Sequence, residues 1–225
     1  MSSIAENIQR IQNTLPANTA LIAVSKMKPV DAIAEAYQAG QHAFGENRAM
    51  EMAVKRSQLP EDIQWHFVGH LQSNKVKYIV SFVHLVHSVD SEHLLDVINR
   101  EGQKGKRVID CLLQFYIAQE ETKFGFTMEE AETMLQKKKF LQLKNIRLCG
   151  VMGMASLTDN SAQIQREFQT LKQHFDYLKE KYFAEESSFK EISMGMTDDY
   201  SIAIAEGSTM VRIGSAIFGE RVKSE

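Results

Sequence analysis

The stretch "LIAVSKMKPVDAIAEAYQAG", residues 21–40, decides the architecture. It opens with Leu21, Ile22, Ala23 and Val24, an apolar run without polar alternation. Such a run is a strand covered on both faces, as in a parallel sheet. Pro29 then breaks the strand, and an amphipathic helix is predicted over 30–39. Between them sits Lys26, a charged amine where a buried strand ends. That position is either a solvated loop or a site.

The same sequence of apolar run, turn and helical period recurs along the chain. Eight apolar runs are present: "ALIAVS" from Ala20, "HAFGE" from His42, "IQWHFVG" from Ile63, "HLVHSVD" from His84, "VIDCLLQFYI" from Val108, "IRLCGVMGMA" from Ile146, "FKEISMG" from Phe189 and "TMVRIGS" from Thr209. Helices are predicted at 91–101, 128–138, 161–183 and 198–206. The 161–183 segment aligns Ile164, Phe168, Leu171, Phe175, Leu178 and Tyr182 on one face, with Thr158 or Asp159 as its cap. Eight such units predict a closed (β/α)8 TIM-like barrel over 1–225. An open doubly wound sheet is the alternative, weakened because no G-x-G-x-x-G follows the first strand. Little chain follows the eighth run, so the N-terminal helix over 3–14 is expected to cover that side.

The totals exclude several functions. With 225 residues, 44 % of them hydrophobic, and a net charge of −3, the chain can build a large core and lacks the basic excess of a nucleic-acid binder. No apolar run would span a bilayer, and the N-terminus has no signal-peptide order. Cys111 and Cys149 lie in apolar runs and read as reduced core thiols, which suits a cytoplasmic protein. The histidines do not read as a metal site: His84 and His87 fall on opposite strand faces, and His66 and His70 would be roughly 13 Å apart on an extended strand.

In such a barrel chemistry gathers at the carboxyl ends of the strands. "SMGMTDD" brings Ser193, Gly195 and Thr197 to the turn after the seventh strand. "RIGS" brings Gly214 and Ser215 to the turn after the eighth. Glycine turns opening onto helix N-termini are suited to phosphate. Asp198 and Asp199 are expected to point sideways into solvent while backbone N–H groups face the anion. Arg212 shares a strand face with Gly214. Inside a barrel it must meet a carboxylate, or a ring nitrogen or phosphate of a ligand. A lysine facing a phosphate cup suggests Schiff-base chemistry, with the amine pKa lowered by burial or nearby cations. The carbonyl could belong to an aldolase substrate or to pyridoxal 5′-phosphate (PLP).

The motifs "AVSKMKP", "FGENR", "WHFVGHLQSNK", "HSVDS", "EETKFGF", "ISMGMTDDY" and "VRIGSAIFG" run in order from Leu21 to Gly219. Together they resemble the pyridoxal-phosphate homeostasis proteins, and through them the N-terminal barrel of alanine racemase and the other fold type III PLP proteins. The resemblance implies a PLP Schiff base on Lys26. It implies phosphate contacts from Ser193, Gly195, Met196, Thr197, Gly214 and Ser215, with Arg212 facing the pyridine nitrogen and Asn47 near the ring. It implies a role in vitamin B6 balance without robust catalysis, and PLP-requiring apo-enzymes as partners. Two departures stand out. Phe115-Tyr116 replaces a Val-Asn pair expected near the barrel mouth, and Val151 replaces a leucine. Lys28 and Lys123 are open between solvated loop residues and guides for phosphate.

An amino-acid racemase is the alternative. It needs an acid/base group on each face of the α-carbon. The racemases take one from a C-terminal β-domain, for which the eleven residues after Gly214 leave no room. Tyr200 or His66 would have to substitute. A Schiff-base aldolase without PLP would be colourless. A monomer is expected, with a dimer as the other option.

Overall fold

The computed structural model describes residues 3–119 and 124–219. It is a closed barrel of eight parallel strands in sequential order. The strands are β1 (Ala20–Val24), β2 (Ala43–Glu46), β3 (Gln64–Phe67), β4 (Leu85–Val89), β5 (Ile109–Gln114), β6 (Ile146–Met152), β7 (Glu191–Ser193) and β8 (Met210–Ile213). The helices are α1 (Ile4–Gln12), α2 (Val30–Gln38), α3 (Ala49–Arg56), α4 (Glu92–Lys104), α5 (Met128–Leu135), α6 (Ser161–Tyr182), α7 (Tyr200–Ala205) and α8 (Ser215–Phe218). A 3₁₀ segment, Ser73–Tyr78, stands between β3 and β4 in place of a full helix.

All eight expected strands are present. The expected helices are too, within a few residues, because each has a stop or start written into it. Ser3 and Glu6 form a capping box on α1, and Thr127 with Glu130 does the same on α5. Asn160, and neither Thr158 nor Asp159, caps α6: its side chain accepts the Gln163 N–H, and Thr158 Oγ1 accepts the Asn160 N–H. The helix α3 had no strong apolar period and was not expected. It becomes central below.

Core packing follows the two strand faces. Trp65, Phe44, Phe67, Phe115, Phe168 and Phe189, all fully buried, belong to the large layer between the barrel and its helices. A second, smaller cluster of Leu85, Leu112, Cys149 and Met152 fills the barrel itself. Both cysteines are buried and free. At Gly150, φ is +149°, and a Cβ there would lie 1.8 Å from the Glu191 carbonyl oxygen. Only glycine allows β7 to approach β6 at this point.

The barrel closes where β1 pairs with β8, Ile22 opposite Arg212 and Ala23 opposite Ile213. The N-terminal helix covers this side, as expected: α1 packs on α2 and α8, and Asn7 Nδ2 donates to the Ile217 carbonyl at 3.1 Å. Among the described residues no helix is long and apolar enough to cross a membrane.

Candidate functional site at the barrel seam

The site gathers around the β1–β8 seam and the neighbouring strand ends. Lys26 follows β1 and is half-buried. The register Ala23↔Phe44 and Val24↔Gly45, continued by a 2.9 Å bond from Ser25 N to Gly45 O, brings Lys26 alongside Asn47. On its other flank lies Gly214, where a Cβ would come within 3.1 Å of the Val24 carbonyl. Lys26, Asn47 and Gly214 are thus brought together by the closure of the sheet.

The two turns expected to hold an anion stand side by side. Ser215 Oγ and Thr197 Oγ1 are 3.0 Å apart, linking the end of β8 to the end of β7. Gly195 has φ +95°, and a Cβ on it would sit 2.6 Å from the Ala203 Cβ, so the turn requires glycine. Its carbonyl accepts the Arg212 N–H at 2.9 Å. Tyr200 N donates to Met196 O at 2.9 Å, closing the turn that leads into α7, whose N-cap is Asp199.

Asp199 departs from expectation. It is only 8 % exposed, and its Oδ1 accepts the Met196 N–H at 2.5 Å. It closes a side-chain turn back onto Met196 instead of pointing into solvent. Burial raises its pKa. Asp198 is exposed, as expected. The Met196 N–H is therefore engaged within the chain. The N–H groups of Thr197 and Asp198, and of Ser215 and Ala216 opposite, take no partner among the described residues.

Arg212 points into the barrel and is 4 % exposed. Its Nη1 donates to Ser193 Oγ at 2.6 Å and its Nη2 to the Gly153 carbonyl at 3.0 Å. Among the described residues no carboxylate pairs with it directly, and burial lowers its pKa to about 10. It remains a cation at neutral pH without a contact counter-ion. Ser193 thus belongs to the barrel interior: its hydroxyl lies 2.8 Å from His87 Nδ1, and His87 Nε2 lies 2.8 Å from His66 Nδ1. Burial holds His66 down to about 3 and His87 well below its usual range, so both rings are neutral. Sequence reasoning missed this chain because it links β3, β4, β7 and β8, and only the strand register reveals it.

Asn47 lines an open cleft of about 340 Å³ with Arg48, Phe67, His70 and Lys75. Its Oδ1 is buried without a hydrogen-bond partner among the described residues, which leaves an acceptor for a group entering from the mouth. Lys28 is not in the cup: its Nζ caps the end of α8, donating to the Phe218 and Gly219 carbonyls at 2.9 Å each. Phe115 turns away from the mouth and packs on His174 of α6, ring centroids 4.9 Å apart. The phenylalanine in place of valine therefore alters the outer layer, and this contact does not bear on Tyr116, which stands in place of the asparagine. Lys123 lies outside the described residues.

A third set of residues was absent from the sequence reading. Lys55 on α3 is 5 % exposed and meets Glu46 Oε1 and Glu51 Oε1, each at 2.7 Å. Burial raises the Glu46 pKa, against hydrogen bonds from Lys55 and Ser25 that lower it. No sequence signal marks Lys55, since a lysine on a polar helix reads as a solvated residue.

A buried cation, paired glycine turns with open N–H groups and a half-buried lysine fit a phosphorylated ring that carries a carbonyl. Comparison with known proteins agrees. The chain matches the alanine racemase N-terminal domain family over residues 1–222. It is 40 % identical over 216 residues to a pyridoxal phosphate homeostasis protein of Haemophilus influenzae, covering 94 % of this chain and 87 % of that one. One from Aquifex aeolicus is 37 % identical over 202 residues, covering 89 % and 86 %. The structure of PipY from Synechococcus elongatus with PLP bound superposes with a TM-score of 0.88 at 35 % identity, covering 96 % of this chain and 100 % of that one. An alanine racemase from Bacillus anthracis shares the fold alone, with a TM-score of 0.73 at 18 % identity over 97 % of this chain and 56 % of its own. By sequence and by barrel, the chain belongs to the family of pyridoxal phosphate homeostasis proteins.

Proposed function

We propose that this protein binds PLP at the barrel seam through a Schiff base on Lys26 and serves as a cytoplasmic carrier in vitamin B6 homeostasis. The observation that carries the reading is the convergence of Lys26, Arg212 and the Gly214–Ser215 turn on adjacent strands. Lys26 would supply the amine that holds the cofactor's aldehyde carbon. When bound, PLP supplies an electrophilic carbon and an electron-withdrawing ring.

The residues divide the work. Thr197, Asp198, Ser215 and Ala216 offer backbone N–H groups to the phosphate, and the Thr197–Ser215 contact holds their two turns in register. Gly195 lets the first turn approach closely. Asn47 offers its free acceptor at the ring edge. Arg212, a cation held by Ser193, would face the ring nitrogen and would discourage a proton there. That weakens the ring as an electron sink, which favours holding the cofactor over turning over amino acids. Racemisation would need acid/base groups on both faces of a substrate carbon. The nearby histidines, His66 and His87, are buried in their own hydrogen-bonded chain.

The test is a visible absorption spectrum of the purified protein, before and after borohydride, beside Lys26→Ala. A visible band in the parent, reduced by borohydride onto the peptide containing Lys26 and absent from the variant, is expected. A parent that stays colourless with added PLP overturns the cofactor reading, and label on another lysine overturns the anchor. In deuterated water no exchange of the alanine α-proton is expected, and exchange would favour the racemase.

A further inference from the structure

Lys26 occupies a turn, so neither strand nor helix fixes the direction of its side chain. The Ser25 carbonyl accepts the Lys28 N–H at 3.0 Å and closes a four-residue turn. Met27, third in that turn, has φ +61°. Side chains other than Gly and Asn avoid this conformation, and an outlier of this kind persists only when its surroundings hold it.

The surroundings are a buried ionic cluster on the far side of the sheet from the cup. The Ser25 carbonyl accepts a second hydrogen bond, from Lys55 Nζ at 2.8 Å. The Met27 N–H donates to Glu51 Oε1 at 2.6 Å, and that same oxygen accepts from Lys55 at 2.7 Å. Glu46 Oε1 completes the set, accepting from Lys55 at 2.7 Å and from Ser25 Oγ at 2.6 Å. The peptide group before Lys26 and the peptide group after it are therefore both tied to one ammonium. Fixing both planes fixes the Cα–Cβ direction of Lys26 between them.

We propose that Lys55 is the positioning residue for Lys26. Through Ser25 and Glu51 it holds the strained turn, and the turn aims the Lys26 amine at the cofactor aldehyde. This rests on the PLP reading above. Lys55 touches neither the cofactor nor the reacting atoms. Its action runs through the backbone, which distinguishes it from a lysine that only packs α3 onto the barrel.

The test compares the parent with Lys55→Met and Glu51→Ala. In cofactor-free protein, NMR-detected exchange of the Met27 amide is expected to rise about ten-fold in both variants. On addition of PLP, capture is expected to slow about ten-fold. The circular dichroism of the visible band is expected to fall while absorbance at saturation is kept, since a loosened lysine still reacts but no longer fixes the ring. Should Lys55→Met fail to fold, Glu51→Ala carries the test, because it removes only a partly exposed carboxylate and frees the Met27 amide. Parent-like capture and dichroism in a variant whose Met27 amide exchanges faster overturn the positioning role. A parent that takes no PLP overturns instead the reading of function.

Discussion

Two buried cations sit within a few strands of each other and are treated in opposite ways. Lys55 meets two carboxylates and a carbonyl, so its charge is compensated inside the fold. Arg212 meets a hydroxyl and a carbonyl, both neutral. Burying a charge is costly unless it is paired, and the cost falls hardest on a charge left without a counter-ion. The first arrangement pairs its ammonium without any ligand, although Glu46 Oε2 stays buried without a hydrogen-bond partner among the described residues. The second leaves a positive charge without a contact counter-ion inside the barrel, where a bound ligand would meet it. The difference separates a structural cation from a binding one better than burial does, since both side chains are nearly sealed from solvent.

The largest effect should come from breaking the paired cluster. Lys55→Met strands Glu46 and Glu51 without their cation, and urea unfolding should report a loss of about 3–5 kcal/mol. A loss below 1 kcal/mol would mean that the carboxylates find other partners, and the contrast with Arg212 would fail.

Acid should act next, on the barrel interior. His66, held at about 3, and His87, lower than its usual value, are neutral in the fold but take up protons near pH 6.5 when unfolded. Their contribution is fully present above pH 6.5 and is lost as pH falls toward the folded values. The slope approaches about 1.4 kcal/mol per pH unit for each ring. Glu46 works the other way, because its raised folded pKa lets the native state bind a proton first as pH drops. Glu46→Gln should therefore steepen the acid loss seen in urea titrations as pH falls toward the ordinary carboxylate range, and an unchanged slope would remove Glu46 from the account.

The smallest change in stability is expected from Arg212→Met, which removes a buried charge that has no counter-ion. Unfolding free energy should move by less than about 1 kcal/mol, while PLP affinity, measured by fluorescence titration, falls at least about ten-fold. A stability loss as large as that of Lys55→Met would make Arg212 structural and erase the distinction.

The barrel was legible because short apolar runs such as Ala20–Val24 recur along the chain, spaced by helices with readable caps. The glycine turns were legible because Gly195 and Gly214 sit at strand ends where phosphate sites form. What stayed hidden depends on pairing across the barrel. Ser193 looked like a cup residue, yet its pleat face turns it to Arg212 and His87. Asp199 looked solvated, because nothing in "TDD" says which of two adjacent carboxylates reaches back to Met196. Lys55 and Glu51 lie on α3, whose mixed composition gave no period to read. Ring and cluster contacts between residues far apart in sequence are set by register, and register emerges only once the strands are aligned.

The closing seam also has a kinetic consequence. Lys28 reaches the Phe218 carbonyl across 190 residues of chain, and β1 finds β8 over a comparable separation. Such a long loop is among the slowest contacts for a chain to close. Lys26 and Gly214 stand on opposite lips of that seam, so the pocket exists only after the last strand has docked. Capture of PLP by a refolding chain would therefore time the end of folding: colour would appear when the barrel shuts, and not while its other strands are assembling.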